Sequence, residues 1–381
     1  MNADAPRDCG SAVIAHYPYP IKLTPSFRTR IWGREDLSEL YPSRPTESER
    51  IGEVWLTADD NLVSNGPFSG KTLGALCRAT GGAIIGGARH AAYPASLASF
   101  PLLVKFLFTS DKLSLQVHPS DDYANRREQS TGKTEMWHVL KADEGARLAV
   151  GFRKELGASL ATNRENFRQA IASGELEQML NWMEVREGDT FFVPAGCVHA
   201  IGAGLILCEI QQNSDITYRL YDYNRTGTDG RPRALHVEKA LDVIEWQTPG
   251  GRTEPLAFDG AATQRLCLAA CPYFASEKFF LRDSIDCQSK GRFEIWIGIE
   301  GEAVFEAAGE RVHCGKGEVL IVPASAARFS ICSHAQSIFL RSYAPDLERD
   351  IAAPLRARGY TQSQLSRVLF PARPLRAAEA T

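Results

Sequence analysis

Continuous and alternating hydrophobic runs dominate the chain and predict a mainly β protein. Residues 102–108 form an almost continuous apolar run, and Ile51–Leu56 is a short alternating one. The β-branched and aromatic run Thr190–Val193 predicts another strand, which ends at Pro194 because proline cannot donate a hydrogen bond to the ladder. Similar runs recur between about residues 255 and 345, separated by glycine-containing turns. We therefore expect strands over most of the chain.

Helical periodicity is limited to a few segments. Phe167, Ala170 and Ile171, followed by Leu176, Met179 and Leu180, recur with the 3.6-residue period of a helix. This pattern predicts a helical insertion around residues 154–182, between strands of the first half. Shorter helices are predicted within residues 71–90, 235–243 and 362–369.

Polar residues occupy one face of the predicted strand Leu113–Pro119. Side chains alternate between the two faces of a strand. Ser114, Gln116 and His118 therefore share a face, opposite the leucines and valine that we assign to the core. Lys105 lies in the middle of its apolar strand. Its side chain either reaches solvent at the edge of the sheet or supplies a functional amine.

The predicted strand 132–140 separates two candidate ligands by its pleat. Lys133 and Glu135 lie on one face together with Trp137, whereas His138 lies on the opposite face. Glu135 is therefore able to join the polar face of the preceding strand. His138 is predicted to be a structural histidine.

A turn, strand and turn motif extends from Gly188 to His199, with the sequence G-D-T-F-F-V-P-A-G-C-V-H. Two turns around a short strand hold the imidazole of His199 at a fixed place, as a metal ligand requires. The spacing of the glycines, proline and histidine resembles the second signature of the cupin barrels. The same Gly and Pro spacing returns at Gly317–Arg328, where Ser325 replaces the second glycine and Arg328 stands at the position of His199. We interpret this as an internal repeat in which only one copy kept its ligand.

Composition narrows the functional class. The chain has 381 residues, of which 44% are hydrophobic and 23% charged, as expected for two or three soluble domains. A net charge of −3 argues against a nucleic-acid partner. Neither a signal peptide nor an apolar run long enough for a membrane span is visible. The nine scattered cysteines predict free thiols and a cytoplasmic protein.

Gln116, His118, Glu135 and His199 together form a candidate metal site. Two imidazoles, a carboxylate and an amide oxygen suit Zn²⁺, and also Fe, Mn or Co. An open coordination position would let a substrate oxygen or water bind the ion, as catalytic sites require.

Four motifs, in this order, resemble the class I mannose-6-phosphate isomerases in their short bacterial form. They are L-S-L-Q-V-H-P, G-K-T-E-M-W-H, V-P-A-G-C-V-H-A-I-G and E-I-Q-Q-N-S-D-I-T-Y-R-L-Y-D-Y-N-R. The resemblance covers roughly residues 20–345 and implies one zinc ion per chain, held by the four ligands above. It also implies a catalytic role for Arg219, a sugar-phosphate pocket lined by Ser114, Lys105 and Lys133, and nearby acidic positions at Glu209 and Asp215.

The implied reaction interconverts mannose 6-phosphate and fructose 6-phosphate through a cis-enediol. Lys133, whose pKa is expected to fall beside a zinc ion, Glu209 and a zinc-bound hydroxide are all candidates for the base. Arg219 is expected to support the oxyanion or to bind phosphate. Lys105 and Ser114 are expected to anchor the phosphate.

The resemblance and the strand pattern together imply two cupin-type (jelly-roll) β-barrels. We expect a loose N-terminal segment at 1–20, a catalytic barrel at 21–248, a degenerate barrel without a metal site at 255–345, and a partly helical tail at 346–381. The tail is longer than the family pattern, and Arg34 stands where the family usually has glycine. The tail either caps a barrel or mediates assembly; we expect a monomer or weak homo-oligomer.

Two other functions fit parts of the same pattern. His118, Glu135 and His199 alone form a triad of two histidines and one carboxylate, as in non-haem iron oxygenases. Gln116 on the same face argues against an oxygenase, because it fills a position that oxygen needs. A cupin that binds sugar without catalysis is the second alternative, and it would tolerate the loss of Arg219.

Overall fold

The computed structural model describes residues 18–44, 49–80, 82–86, 99–156, 164–227, 230–247, 250–258 and 264–371. Strands prevail within these ranges, which confirms the predicted mainly β class. The strands of the first half are β1 Ile21–Leu23, β2 Ser26–Arg34, β3 Ile51–Trp55, β4 Leu102–Thr109, β5 Leu115–Val117, β6 Glu135–Ala142, β7 Arg147–Phe152, β8 Leu180–Glu184, β9 Thr190–Val193, β10 His199–Ile201, β11 Leu205–Gln212, β12 Tyr218–Tyr221 and β13 Gly251–Arg252. Those of the second half are β14 Leu256–Ala257, β15 Gln264–Ala270, β16 Ala275–Leu281, β17 Ile285–Gln288, β18 Glu294–Glu300, β19 Glu302–Ala307, β20 Glu310–Gly315, β21 Val319–Val322, β22 Arg328–Cys332 and β23 Ser337–Tyr343.

The strands form four sheets, two in each half of the chain. The first half has a seven-stranded sheet in the order β13-β9-β6-β11-β4-β3-β2 and a five-stranded sheet in the order β12-β5-β10-β7-β8. The second half has a seven-stranded sheet in the order β1-β21-β18-β23-β16-β15-β14 and a four-stranded sheet in the order β17-β22-β19-β20. Neighbouring strands run antiparallel throughout these sheets, so each large sheet keeps a regular alternation between its two faces.

Short helices connect the strands, and the predicted helical insertion ends earlier than its pattern suggested. The predicted insertion 154–182 contains two helices, but Leu180–Glu184 is strand β8, paired with β7. The backbone partners that β7 offers outweigh the helical period of residues 176–180, because pairing satisfies each buried N–H and C=O group. Residues 157–163 lie outside the described ranges. The helices are α1 Leu73–Thr80, α2 Gly82–Ile85, α3 Asp121–Glu128, α4 Arg164–Ser173, α5 Leu176–Met179, α6 Val237–Val243, α7 Ala353–Ala357 and α8 Gln362–Leu365, with a 3-10 turn at Gly66–Phe68 and a π-helix at Leu347–Ala352.

The two large sheets pack against each other through one shared apolar core. Val104 and Phe106 of β4 belong to the same buried cluster as Ile295 and Ile297 of β18. Strand β4 is buried on both faces, which explains its continuous apolar sequence. Lys105 is only 2% exposed, because the strand directs it away from this core and into the first half.

The two ends of the chain also tie the halves together. Strand β1 pairs with β21 of the second half, whereas β2 continues into the large sheet of the first. The tail packs Leu355 and Leu365 against Tyr343, and its Phe370 ring stacks 4.0 Å from Phe192. The tail was expected either to cap a barrel or to mediate assembly. The contacts of the described residues up to 371 support capping, which we call the covering role of the tail.

The structure describes eight of the nine cysteines. None of the eight forms a disulfide bond with another described cysteine, and six of them are buried; Cys9 lies outside the described ranges. Among the described residues, no helix has the length and apolar character needed to cross a bilayer.

Candidate active site

Two rows of side chains, one on each sheet of the first half, face a common cleft. On the small sheet Gln116 is paired in register with His199 on one side and with Arg219 on the other. On the large sheet Glu209 is paired with Lys105 and with Trp137. Strand alternation sends both rows inward, to a cleft of about 440 Å³. A larger cleft of about 690 Å³, elsewhere on the surface, contains none of the predicted residues.

His118, Glu135 and His199 converge in the interior of the first half. Their nearest ligand atoms all lie within 4.8 Å of one another. Nε2 of His118 is 3.5 Å from Oε2 of Glu135, and Nε2 of His199 is 3.4 Å from Oε1. Each residue is at most 1% exposed. Two imidazoles and a carboxylate facing one point are a ligand group for a divalent cation.

Backbone carbonyls fix the orientation of both imidazoles. Nδ1 of His118 lies 2.8 Å from the carbonyl of Ile216, and Nδ1 of His199 lies 2.9 Å from that of Cys197. A carbonyl only accepts, so Nδ1 carries the proton and Nε2 keeps its lone pair. Burial lowers the pKa of His199 to about 4 and that of His118 well below its ordinary value. Both rings are therefore neutral near pH 7, as ligation requires.

The carboxylate of Glu135 has no hydrogen bond although it is fully buried. Both of its oxygens lack a hydrogen-bond partner, and the ammonium of Lys133, 2.8 Å from Oε2, forms an ion pair without hydrogen-bond geometry. Lys133 compensates the charge of this carboxylate, but lone pairs on both oxygens stay unsatisfied, and a bound cation would satisfy them. The amide nitrogen of Gln116 lies 3.2 Å from Nε2 of His199, so rotating the amide brings its oxygen to the same place.

Lys133 and Glu209 are buried near this group. Nζ of Lys133 donates to Nε2 of His118 over 3.1 Å. Burial lowers the pKa of Lys133, but the carboxylates of Glu135 and Glu209 raise it by more, so it lies above its ordinary value. The expected fall in this pKa therefore depends on the charge of a bound cation. Burial raises the pKa of Glu209, which accepts a hydrogen bond from Trp137 over 3.1 Å.

Lys105 lies between two carboxylates. Its Nζ is 3.8 Å from Glu209 and 3.5 Å from Asp215, and 4.7 Å from the ring centre of Trp55. Of the two alternatives for this lysine, burial excludes the solvent-reaching one. The hydroxyl of Ser114, on the opposite wall, donates to Gln116 over 3.3 Å.

Arg219 is bound on one side only. Its Nη1 donates to the carbonyl of Ala234 over 2.9 Å, whereas its buried Nε has no partner. Burial and the nearby charge of Arg233 lower its pKa, which marks this end of the cleft as electropositive. Arg233 was missed from the sequence because it lies in a loop, where periodicity gives no signal.

Four further polar residues of the lining were not predicted: Arg30, Glu53, Thr217 and His236. Glu53 accepts hydrogen bonds from Arg30 over 2.8 Å and from Trp55 over 2.7 Å. The place of Glu53 on the alternating strand β3 was a usable signal, because alternation puts it on the face opposite the core residue Val54.

His138 faces away from the cleft, as its strand position predicted. Its Nδ1 lies 2.9 Å from the hydroxyl of Thr190, and Lys278 of the second half lies 3.4 Å from its Nε2. Burial, together with Lys278, lowers its pKa to about 3.

The second half repeats the strand register of the first half, but different side chains point into its interior. Glu294 of β18 pairs with the last residue of β21, as Glu135 of β6 pairs with the last residue of β9. Near Glu294 the guanidinium of Arg341 lies between two carboxylates, 3.4 Å from Glu294 and 2.7 Å from Glu277. A fixed internal cation therefore faces the glutamate here.

Arg328 occupies the sequence position of His199 but not its place in space. Arg328 begins β22, as His199 begins β10, yet its side chain is exposed. The next residue, Phe329, points inward with its ring 6.3 Å from Trp296, whereas the His199 ring lies 5.4 Å from Trp137. A step of one residue along a strand reverses the face, so the equivalence predicted from spacing fails for the side chains.

Comparisons with known proteins agree with this geometry. Residues 21–143 match the family described as phosphomannose isomerase type I, catalytic domain, and residues 265–343 match mannose-6-phosphate isomerase, cupin domain. A mannose-6-phosphate isomerase of Streptococcus mutans is 35% identical over 80% of this chain and 92% of its own length. One from Bacillus subtilis is 34% identical over 84% and 98%, respectively.

A solved structure extends the similarity to the fold. The crystal structure of the mannose 6-phosphate isomerase from Bacillus subtilis superimposes with a TM-score of 0.73 at 30% identity, over 85% of this chain and 99% of that one. Sequence identity of 30–35% extends over most of the chain, and the matched part includes the buried group of candidate metal ligands. These two observations establish the family of the protein. The chain belongs to the type I phosphomannose isomerases and is an isomerase.

Proposed function

We propose that this protein is a zinc-dependent isomerase that interconverts mannose 6-phosphate and fructose 6-phosphate through a cis-enediol. One observation carries the proposal: the buried group of His118, Glu135 and His199 lies directly behind Gln116 and Lys133, which line the same cleft as Arg219. The names of the relatives supply the substrate.

The metal would be held by Gln116, His118, Glu135 and His199. Neutral imidazoles with fixed Nδ1 protons and a buried carboxylate whose oxygens have no hydrogen-bond partner support this assignment. When bound, a zinc ion supplies a Lewis acid that stabilises negative charge on substrate oxygens, an effect worth several kcal/mol.

The proton that moves between C1 and C2 needs a base from this cleft. Lys133 and Glu209 are both buried and close to the ligand group. Burial raises the pKa of Glu209, which makes it a stronger base than an exposed carboxylate, whereas the carboxylate neighbours of Lys133 raise its pKa and favour its protonated form. We therefore propose Glu209 as the first candidate for the base and Lys133 as the second.

Phosphate and oxyanion charge would be held by the cations that line the cleft. The unbonded Nε of Arg219 is available to a substrate oxygen. Lys105 and Ser114 remain our proposed phosphate anchor, in which the phosphate takes over the contact that Asp215 now makes with the lysine.

The sheets support a division into two cupin-type barrels. We propose residues 21–248 for the catalytic barrel, with a helical insertion before β8, and residues 255–345 for a second barrel without a metal site. Two short strands depart from these bounds, because β1 pairs in the sheet of the second half and β13 pairs in that of the first. The described cysteines form no disulfide bonds, which suits a reducing compartment, and we propose a cytoplasmic monomer or weak homo-oligomer.

Coupled conversion of mannose 6-phosphate, before and after treatment with a chelator, tests the proposal. We expect turnover to vanish on chelation and to return with one equivalent of zinc. Oxygen uptake that depends on iron would identify the oxygenase alternative instead. Binding of the sugar phosphate without turnover, even in the zinc-loaded protein, would identify the non-catalytic alternative.

A further inference from the structure

We propose that Tyr273, a residue of the second half, is a positioning residue for the active site, acting through Asp121. Tyr273 lies in the turn between β15 and β16, and its hydroxyl donates to Oδ2 of Asp121 over 2.6 Å. Asp121 begins α3 in the first half, three positions after His118. This bond joins the second half directly to the segment 119–134, which connects the ligands His118 and Glu135.

The other oxygen of Asp121 holds the far end of that segment. Oδ1 accepts from the backbone N–H of Gly132 over 2.8 Å and from the amide of Gln212 over 3.1 Å. Gln212 in turn accepts from the N–H of Thr134 over 2.9 Å. One carboxylate therefore fixes the backbone on both sides of Lys133.

Three consecutive amides are held in this way. The N–H of Lys133 itself donates to the carbonyl of Pro119 over 3.0 Å, so both ends of the segment are tied to each other. Gly132 fits too closely for any side chain, since a Cβ there would lie 2.5 Å from the backbone nitrogen of Asp121. Nζ of Lys133 reaches Glu135 at 2.8 Å, and a shift of this backbone would move it.

The turn that carries Tyr273 is itself firmly placed. Its backbone closes through the N–H of Cys271, which donates to the carbonyl of Phe274 over 2.8 Å. Phe274 is fully buried in the core shared by the two halves, with its ring 6.4 Å from Phe192 of β9. The second half thus offers a rigid support from which the hydroxyl reaches Asp121.

Tyr273→Phe removes only the hydroxyl and tests the inference. A hydrogen bond to a charged group is lost, so we expect roughly tenfold faster amide hydrogen exchange in the peptide that covers residues 130–135. We also expect zinc to be lost at a several-fold lower concentration of competing chelator, and kcat to fall several-fold with little change in KM. The variant Asp121→Asn should show the same effects, and the double variant should be no worse than Asp121→Asn alone, because the two groups act as a unit.

Tyr360→Phe is the matched control. Tyr360 lies in the tail, and its hydroxyl accepts from the N–H of Ala257 over 3.2 Å. The control loses the same atom and should leave exchange at 130–135, zinc retention and kcat unchanged. Wild-type exchange at 130–135 in Tyr273→Phe, or equal effects in Tyr360→Phe, would overturn the inference. The catalytic consequence rests on the proposed function, but exchange and zinc retention do not, so failure of wild-type turnover would be recognised separately.

Discussion

Three buried histidines of the first half differ in what their ring nitrogens meet. His118, His138 and His199 are all at most 1% exposed, and burial lowers the pKa of each. In His118 and His199 a backbone carbonyl takes Nδ1 and leaves Nε2 facing a carboxylate. Each of these Nε2 atoms also has a nitrogen neighbour, Lys133 or Gln116. In His138, Nδ1 meets the hydroxyl of Thr190 and Nε2 meets the ammonium of Lys278. The carboxylate of Glu135 near Nε2, rather than burial, therefore distinguishes the candidate ligands from the structural histidine.

Two arginine substitutions test the residue-scale assignment. Arg219→Ala removes a cation whose Nε is free inside the cleft, so we expect kcat to fall by roughly 10²–10³. Arg328→Ala removes an exposed side chain of the second half and should leave kcat within about twofold of wild type. Steady-state kinetics of both variants give the two values of kcat that test these expectations. A large loss in Arg328→Ala would contradict the view that only the first half carries the site.

His138 links the stability of the protein to pH. Its pKa is lowered from 6.5 to about 3 in the folded protein. Between these values the unfolded chain binds a proton that the folded protein does not, so the free energy of unfolding falls as pH falls. The slope is at most about 1.4 kcal/mol per pH unit. Urea unfolding between neutral and acidic pH should show a shallower slope in His138→Gln; an unchanged slope would refute the assignment.

At the scale of strands, each half has a row of cross-strand neighbours that contains one cation and one carboxylate, and their positions are exchanged between the halves. Lys105 of β4 faces Glu209 of β11 across one sheet, and Glu277 of β16 faces Arg341 of β23 across the other. A tryptophan continues both rows on the next strand. Arg341 also reaches Glu294, so the charges of the second half are already paired. This pairing supports the proposal that the second half holds no metal ion.

Arg341→Met should destabilise the protein strongly. It removes the cation beside Glu294 and leaves Glu277 with Arg265, which lies 3.7 Å away. Removal of one partner of a buried ion pair typically costs about 3–5 kcal/mol. Adding Glu277→Gln and Glu294→Gln to Arg341→Met removes both negative charges and should recover much of the loss. Denaturant unfolding gives these values. If the triple variant were no more stable than Arg341→Met, burial of charge would not be the cause.

At the scale of the whole molecule, the halves are joined by a common core, an exchanged strand and the tail. The cluster that includes Phe106 and Ile295 has members from both large sheets. Strand β1 pairs in the second half, although β2 follows it in the first. Phe370 stacks on Phe192 from the far end of the chain. Two independent domains would not share these contacts.

Truncation after Pro345 tests the structural role of the tail. It removes Ile351, Leu355, Leu365 and Val368 from the cluster around Tyr343. Burial of a large aliphatic side chain stabilises by about 1.5–3 kcal/mol, so we expect a loss of several kcal/mol and a clearly lower melting temperature. A chain that ends at Pro371 keeps every one of these contacts and is the control. Equal melting temperatures for the two chains would rule the covering role out.

The sequence by itself determined the strands and which residues share a face. Period-two alternation is local, so it correctly grouped Ser114 with Gln116 and separated Glu135 from His138. It also bounded β9 at Thr190–Val193, because Pro194 stops the ladder. The resemblance carried by four motifs added the family, which the matches over residues 21–143 and 265–343 confirm.

Only the tertiary structure decided how those faces meet. Gln116 and His199 are 83 positions apart, and strand pairing alone places them side by side. The carbonyls that orient His118, the carboxylates around Lys105 and the outward face of Arg328 likewise depend on neighbours distant in sequence. Alternation along a strand is a property of consecutive residues, whereas register between strands and the packing of sheets arise from long-range hydrogen bonds and burial.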